Sequence, residues 1–86
     1  MQTDLAILKQ LVIETAKKSP LSERVQGVEL ESDRDNDGAE YLRVMIRVKN
    51  VAEPDYAALS NLLEAIESAV GERDDRYPSV RFPDAA

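Results

Sequence analysis

Apolar residues recur along the chain in two rhythms, and the switches between them mark out its elements. Over residues 4–18 the spacing is three-and-four. Leu5, Leu8, Leu11, Val12 and Ala16 fall on one side of a helix. Thr3 or Asp4 supplies its cap, Lys17 and Lys18 suit the negative end of its dipole, and Ser19-Pro20 ends it. The rhythm then becomes two. Over residues 24–32, Val28 and Leu30 alternate with Glu29 and Glu31, and Gly27 breaks the phase in the manner of a bulge. Residues 40–49 alternate most clearly: Leu42, Val44, Ile46 and Val48 on one face, Tyr41, Arg43, Met45, Arg47 and Lys49 on the other. Between these strands, Asp33 to Gly38 is rich in turn formers and ends in Asp-Gly, a hairpin signal.

Residues 50–54 connect to a second helix over 55–70, with Asp55 as N-cap or Pro54 at its first position. Tyr56, Leu59, Leu62, Leu63, Ile66 and Val70 form its apolar stripe, and Gly71 fits the left-handed position past its end. Glu72 to Pro78 reads as a solvated, charged loop in which Tyr77 is either an anchor for the C-terminal segment or an interface residue. Ser79 to Phe82 reads as a short third strand with Val80 and Phe82 inward. The expected architecture is one α+β domain over residues 1–86. It is a small two-layer sandwich of order α-β-β-α-(β), an antiparallel hairpin sheet covered on one face by two helices. The position of the last strand is left open.

Composition narrows the chemistry. The 86 residues hold no Cys, no His and no Trp, which removes disulfides, thiol catalysis, His-based triads and zinc sites built on Cys or His. Three glycines form neither a phosphate loop nor a dinucleotide fingerprint. No cofactor is expected, and the expectation is of a protein that is not an enzyme. Seventeen acidic against eleven basic residues give a net charge of -6. That balance disfavours nucleic acid and favours a basic protein partner. No apolar run approaches a membrane span, and neither end carries a recognisable address, so a cytoplasmic protein without a membrane partner is the default expectation.

Two groups of residues are candidate sites. Tyr41, Arg43, Met45 and Arg47, joined by Arg81 if the last strand enters the sheet, make a face suited to an interaction with protein or nucleic acid. The alternative is that the arginines form ordinary surface pairs with Glu29 and Glu31. Asp33, Asp35 and Asp37 ahead of Gly38 match the opening of an EF-hand calcium loop. The twelfth position, where a bidentate Glu would close the shell, is Val44, and the flanks read as strands. A solvated hairpin tip is therefore the main reading there, with weak calcium binding beside it. Open sheet edges, above all the long apolar strand 41–48, and helix surface at Ile7, Ile13 and Ala65 favour a homodimer. The sequence as a whole points to an acidic adaptor or regulatory protein that acts by protein–protein interaction. A nucleic-acid-binding module using Arg43, Arg47 and Arg81 is the alternative.

Overall fold

The alternation over residues 40–48 becomes the centre of the molecule. In the computed structural model, which describes residues 2–85, five main elements follow one another: α1 (Leu5–Lys17), β1 (Val25–Arg34), β2 (Glu40–Val48), α2 (Tyr56–Gly71) and β3 (Tyr77–Arg81). Positions 1 and 86 of the expected domain lie outside the described residues. The sheet order is β1-β2-β3, with β2 antiparallel to β1 and parallel to β3. The sheet is thus mixed. A parallel neighbour needs a crossover, and α2 supplies it. Strand 40–48, which the sequence left as an open edge, is covered on both sides, so the argument for dimerisation through that edge falls away.

Leu42, Val44, Ile46 and Val48 are fully buried and form one layer of the core. Leu8, Val12 and Ala16 from α1 and Leu59, Leu62, Ile66 and Val70 from α2 form the other. Burying a Leu, Ile or Val side chain contributes roughly 1.5–3 kcal/mol, so this interface carries most of the fold's driving force. Tyr56, counted in the apolar stripe of α2, is 47% exposed, while Ile13, counted as free helix surface, packs against the core. Ile7 and Ala65 are exposed as expected.

The phase break at Gly27 is a bulge: the β1–β2 register shifts between Val25 and Gly27. Val25 and Gln26 together oppose Val48, which lets Val25, Val28 and Leu30 all face the helices. Asp4 caps α1, its carboxylate accepting from the Ala6 N–H at 2.8 Å. Asp55 stands at the N-cap position of α2 but makes no capping bond. Its carboxylate instead receives the Arg24 guanidinium through two bonds, of 2.7 and 3.0 Å, and the Ala52 N–H at 3.0 Å. The Arg24 fork, then the Ala52 amide, hold the Asp55 carboxyl below its ordinary value. Gly71 is the last helical residue and not a left-handed cap; among described glycines only Gly38, in the hairpin turn, has a positive φ, of 84°.

The loop after α2 departs most from expectation. Asp74 and Arg76 are buried, at 5% and 8% exposure. Arg76 donates to both carboxylate oxygens of Asp74 at 2.9 Å, and the Arg76 backbone N–H adds a bond of 2.8 Å. Thr3 completes the arrangement. Its N–H donates to Asp74 at 2.6 Å, its carbonyl accepts from Arg76 at 2.9 Å, and its hydroxyl donates to the Arg73 carbonyl. No buried side-chain polar atom of the pair is left without a partner, which is what allows a charge pair to sit away from water. Tyr77, by contrast, is 65% exposed and anchors nothing.

The Arg76 fork, followed by the Thr3 and Arg76 amides, holds the Asp74 carboxyl well below the usual carboxylate range. Arg76→Ala is expected to destabilise the domain by about 3 kcal/mol, because it leaves a buried carboxylate without its partner. A depressed native pKa contributes stability that is complete above the unfolded value, about 3.9, and is lost as the pH falls below it. Urea unfolding from about pH 7 to pH 2 therefore shows a smaller acid-induced loss of stability in Asp74→Asn than in the parent chain.

Candidate interaction face

Both helices lie on one side of the sheet, so its other side is bare. Period-two geometry then decides which side chains appear there. Across the three strands the register aligns Asp33, Tyr41 and Tyr77, then Glu31, Arg43 and Ser79, then Glu29, Met45 and Arg81, with Gly27 opposite Arg47 at the end. Tyr41, Arg43, Met45, Arg47 and Arg81, the residues singled out from the sequence, thus share one face.

Their electrostatic states differ. Arg43 lies within 3.2 Å of Glu31, pairs with Asp33 and donates to the Tyr41 hydroxyl at 3.4 Å. The Tyr41 contact, then the neighbouring carboxylates, push its pKa further up. Arg47 stands 3.6 Å from Glu29. For these two the surface-pair reading holds: they form a cross-strand ladder with β1. Arg81 makes no ion pair among the described residues, and Met45 beside it is half-buried. Tyr41 and Tyr77 adjoin on neighbouring strands. With Ser79, Arg81, Arg34 and the hairpin they border a shallow hollow of about 540 Å³. Tyr77 is the member that sequence reasoning left undecided. The signal was present, since Tyr77, Ser79 and Arg81 alternate, but Pro78 masked the start of the strand.

The acidic turn is arranged around the backbone. Asp35 accepts from the Asp37 and Ala39 amides at 2.9 and 3.0 Å, and Asp33 is engaged by Arg43 and by the Arg34 amide. Among the described residues no group of three or more Asp or Glu side chains is placed to hold a metal ion. The carboxyls displaced from their ordinary values, Asp55 and Asp74, are both lowered by arginine. That is opposite to the upward shift a general base or acid near neutrality needs.

Fold and face together define a small α+β domain of ferredoxin-like type with a bare, mixed-charge sheet surface. The structure described as MamM-CTD 215-293 shares this fold, with a TM-score of 0.52 over 92% of this chain and 99% of that one, at 17% identity. A doubly substituted form of the MamM CTD aligns over 98% of this chain and 88% of its own, with a TM-score of 0.51 and 16% identity. At such identities the likeness is one of fold. The chain matches no protein-family profile and no curated protein.

Because Asp35 organises the turn through two amides, Asp35→Ala is expected to lower stability by about 1 kcal/mol, as loss of a helix cap does. The loss is the same with and without millimolar calcium. Thermal melts of both chains in calcium and in chelator check it, and a calcium-dependent gain confined to the parent would reverse the assignment.

Proposed function

We propose that this chain is a non-enzymatic binding domain, an adaptor or regulator that engages another protein through its helix-free sheet face. The observation that carries the reading is the grouping on one sheet face of Tyr41, Met45, exposed Tyr77 and Arg81, which has no ion pair among the described residues, with Tyr41, Tyr77 and Arg81 bordering the hollow. Aromatic residues, Met and Arg are the side chains enriched where proteins meet, and Tyr and Arg are the frequent energetic anchors. A net charge of -6 steers such a domain toward a basic protein. No helix among the described residues is long and apolar enough to cross a membrane, which is compatible with a place in the cytoplasm.

The nucleic-acid alternative is weakened by the ladder. Arg43 and Arg47 already face Glu31, Asp33 and Glu29, so a phosphate would have to compete with covalently tethered carboxylates.

The test is affinity capture from a lysate with the parent chain and with a Tyr77→Ala, Arg81→Glu double variant. Both residues are exposed, so the variant keeps the parent melting temperature. The parent retains a stoichiometric protein and the variant loses it by at least roughly tenfold, the usual effect of removing central anchors. Equal retention by both chains, or retention of nucleic acid in its place, would overturn the reading.

A further inference from the structure

We propose that the outer edge of β1 accepts an additional strand, from a partner segment in which basic residues alternate with apolar ones. The inference rests on the reading of this chain as a protein-binding domain but concerns a surface other than the Tyr77–Arg81 face.

The β1–β2 ladder is fixed in phase at both ends. The Lys49 N–H donates to the Arg24 carbonyl at 2.9 Å, and the Asp35 N–H donates to the Ala39 carbonyl at 3.0 Å. In an antiparallel pair, residues alternate between aiming both backbone groups at the partner strand and aiming both away. With the bulge at Val25 and Gln26 taken into account, Gly27, Glu29, Glu31 and Asp33 aim at β2. Val28, Leu30, Ser32 and Arg34 aim outward, where the sheet has no further strand. The Arg34 N–H is taken by the Asp33 carboxylate at 2.8 Å. The amides and carbonyls of Val28, Leu30 and Ser32 have no partner among the described residues. The opposite edge of the sheet is less suited to pairing, since β3 is five residues long and contains Pro78, which has no N–H to offer.

Side chains along β1 specify the occupant. Glu29, Glu31 and Asp33 line one side of the edge, and two arginines, Arg43 and Arg47, answer these three carboxylates. A strand added there places alternate side chains beside that row, where Lys or Arg is favoured and Asp or Glu is repelled. Its intervening side chains lie on the side of Val28 and Leu30. At the Val28 end lies a hollow of about 210 Å³ whose apolar wall, Ile13, Val25 and Val28, can take an apolar side chain, while Lys17, Ser22 and Gln26 on its rim disfavour a basic one at that position. A second copy is the wrong occupant. Antiparallel pairing of β1 with itself about Leu30 would set Glu29 of each copy against Glu31 of the other. The acidic row thus guards the edge against self-association while selecting a basic strand.

The experiment titrates the ¹⁵N-labelled full chain with a capped Thr-Lys-Val-Lys-Val-Lys-Thr peptide and, separately, with its Glu counterpart. With the basic peptide, amide exchange at Val28, Leu30 and Ser32 slows by about tenfold or more, as expected for newly bonded amides. Replacing two of the three rim carboxylates in a Glu29→Gln, Glu31→Gln chain weakens the peptide by about tenfold. The Tyr77→Ala, Arg81→Glu chain binds it as the parent does, so loss of the face reading leaves this result standing. The proposal is overturned by unchanged exchange at those amides, by an equal response to the acidic peptide, or by protection of the edge through dimerisation of the chain alone at neutral pH. Shifts confined to Tyr41 and Tyr77 would likewise overturn it while supporting the face.

Discussion

Everything in this domain is arranged around the sealing of four side chains on one strand. Leu42, Val44, Ile46 and Val48 have no contact with solvent, whereas β3 closes off only Pro78 and Val80 and β1 only Val28. Because strand side chains alternate strictly, this burial forces Tyr41, Arg43, Met45 and Arg47 onto the opposite side. A slip of one residue would drive two arginines into the core. The bare face is therefore the complement of the core, held in place by the full hydrophobic term and not by contacts of its own. A surface supported in this way is rigid, which suits recognition of a partner without prior ordering.

The arginine–carboxylate pairs form a graded series. Those of Arg43 and Arg47 lie in the open, that of Arg24 with Asp55 is half-sheltered, and that of Arg76 with Asp74 is closed off. The physical consequences follow the gradient. Exposed pairs are screened by salt and exchange readily with an incoming charge. The half-sheltered pair ties the start of β1 to the connector before α2. The closed pair tolerates only one geometry and fixes the loop that delivers β3 to the sheet. One type of interaction thus serves as replaceable surface charge in one place and as a positional clasp in another.

How far the sequence disclosed this depends on whether a signal is local. The helix at Leu5–Lys17, the hairpin with Gly38 at its turn and the alternation of β2 all arise from neighbours a few positions apart, and each was legible. The bulge at Gly27 was legible too, because the phase change is written in the spacing of Val25, Val28 and Leu30. The side on which β3 joins was not, since nothing in Ser79-Val80-Arg81 says whether it lies beside β1 or β2. The charges of Asp74 and Arg76 read as solvated loop because their burial depends on Thr3, far away in the chain. Asp55 looked like a cap and became a partner for Arg24 for the same reason. Of the candidate face, Tyr41 to Arg47 could be read from one strand, but the isolation of Arg81 could be seen only once Glu29, Glu31 and Asp33 were placed beside the other arginines.

Thr3 and Asp74 are bonded across 71 positions of sequence. A ribosome makes the first of them 71 residues before the second. Until then Thr3, just ahead of α1, lacks its carboxylate partner and β2 has a neighbour on one side alone. The nascent chain must wait until Asp74 has been made before this contact can close, and a contact of such long range slows the completion of the fold. A stalled or clipped chain that stops short of Asp74 would carry the most apolar strand of the molecule with one row of backbone groups bare. Such fragments are the form of this protein that quality-control machinery would meet as a sticky template for aggregation.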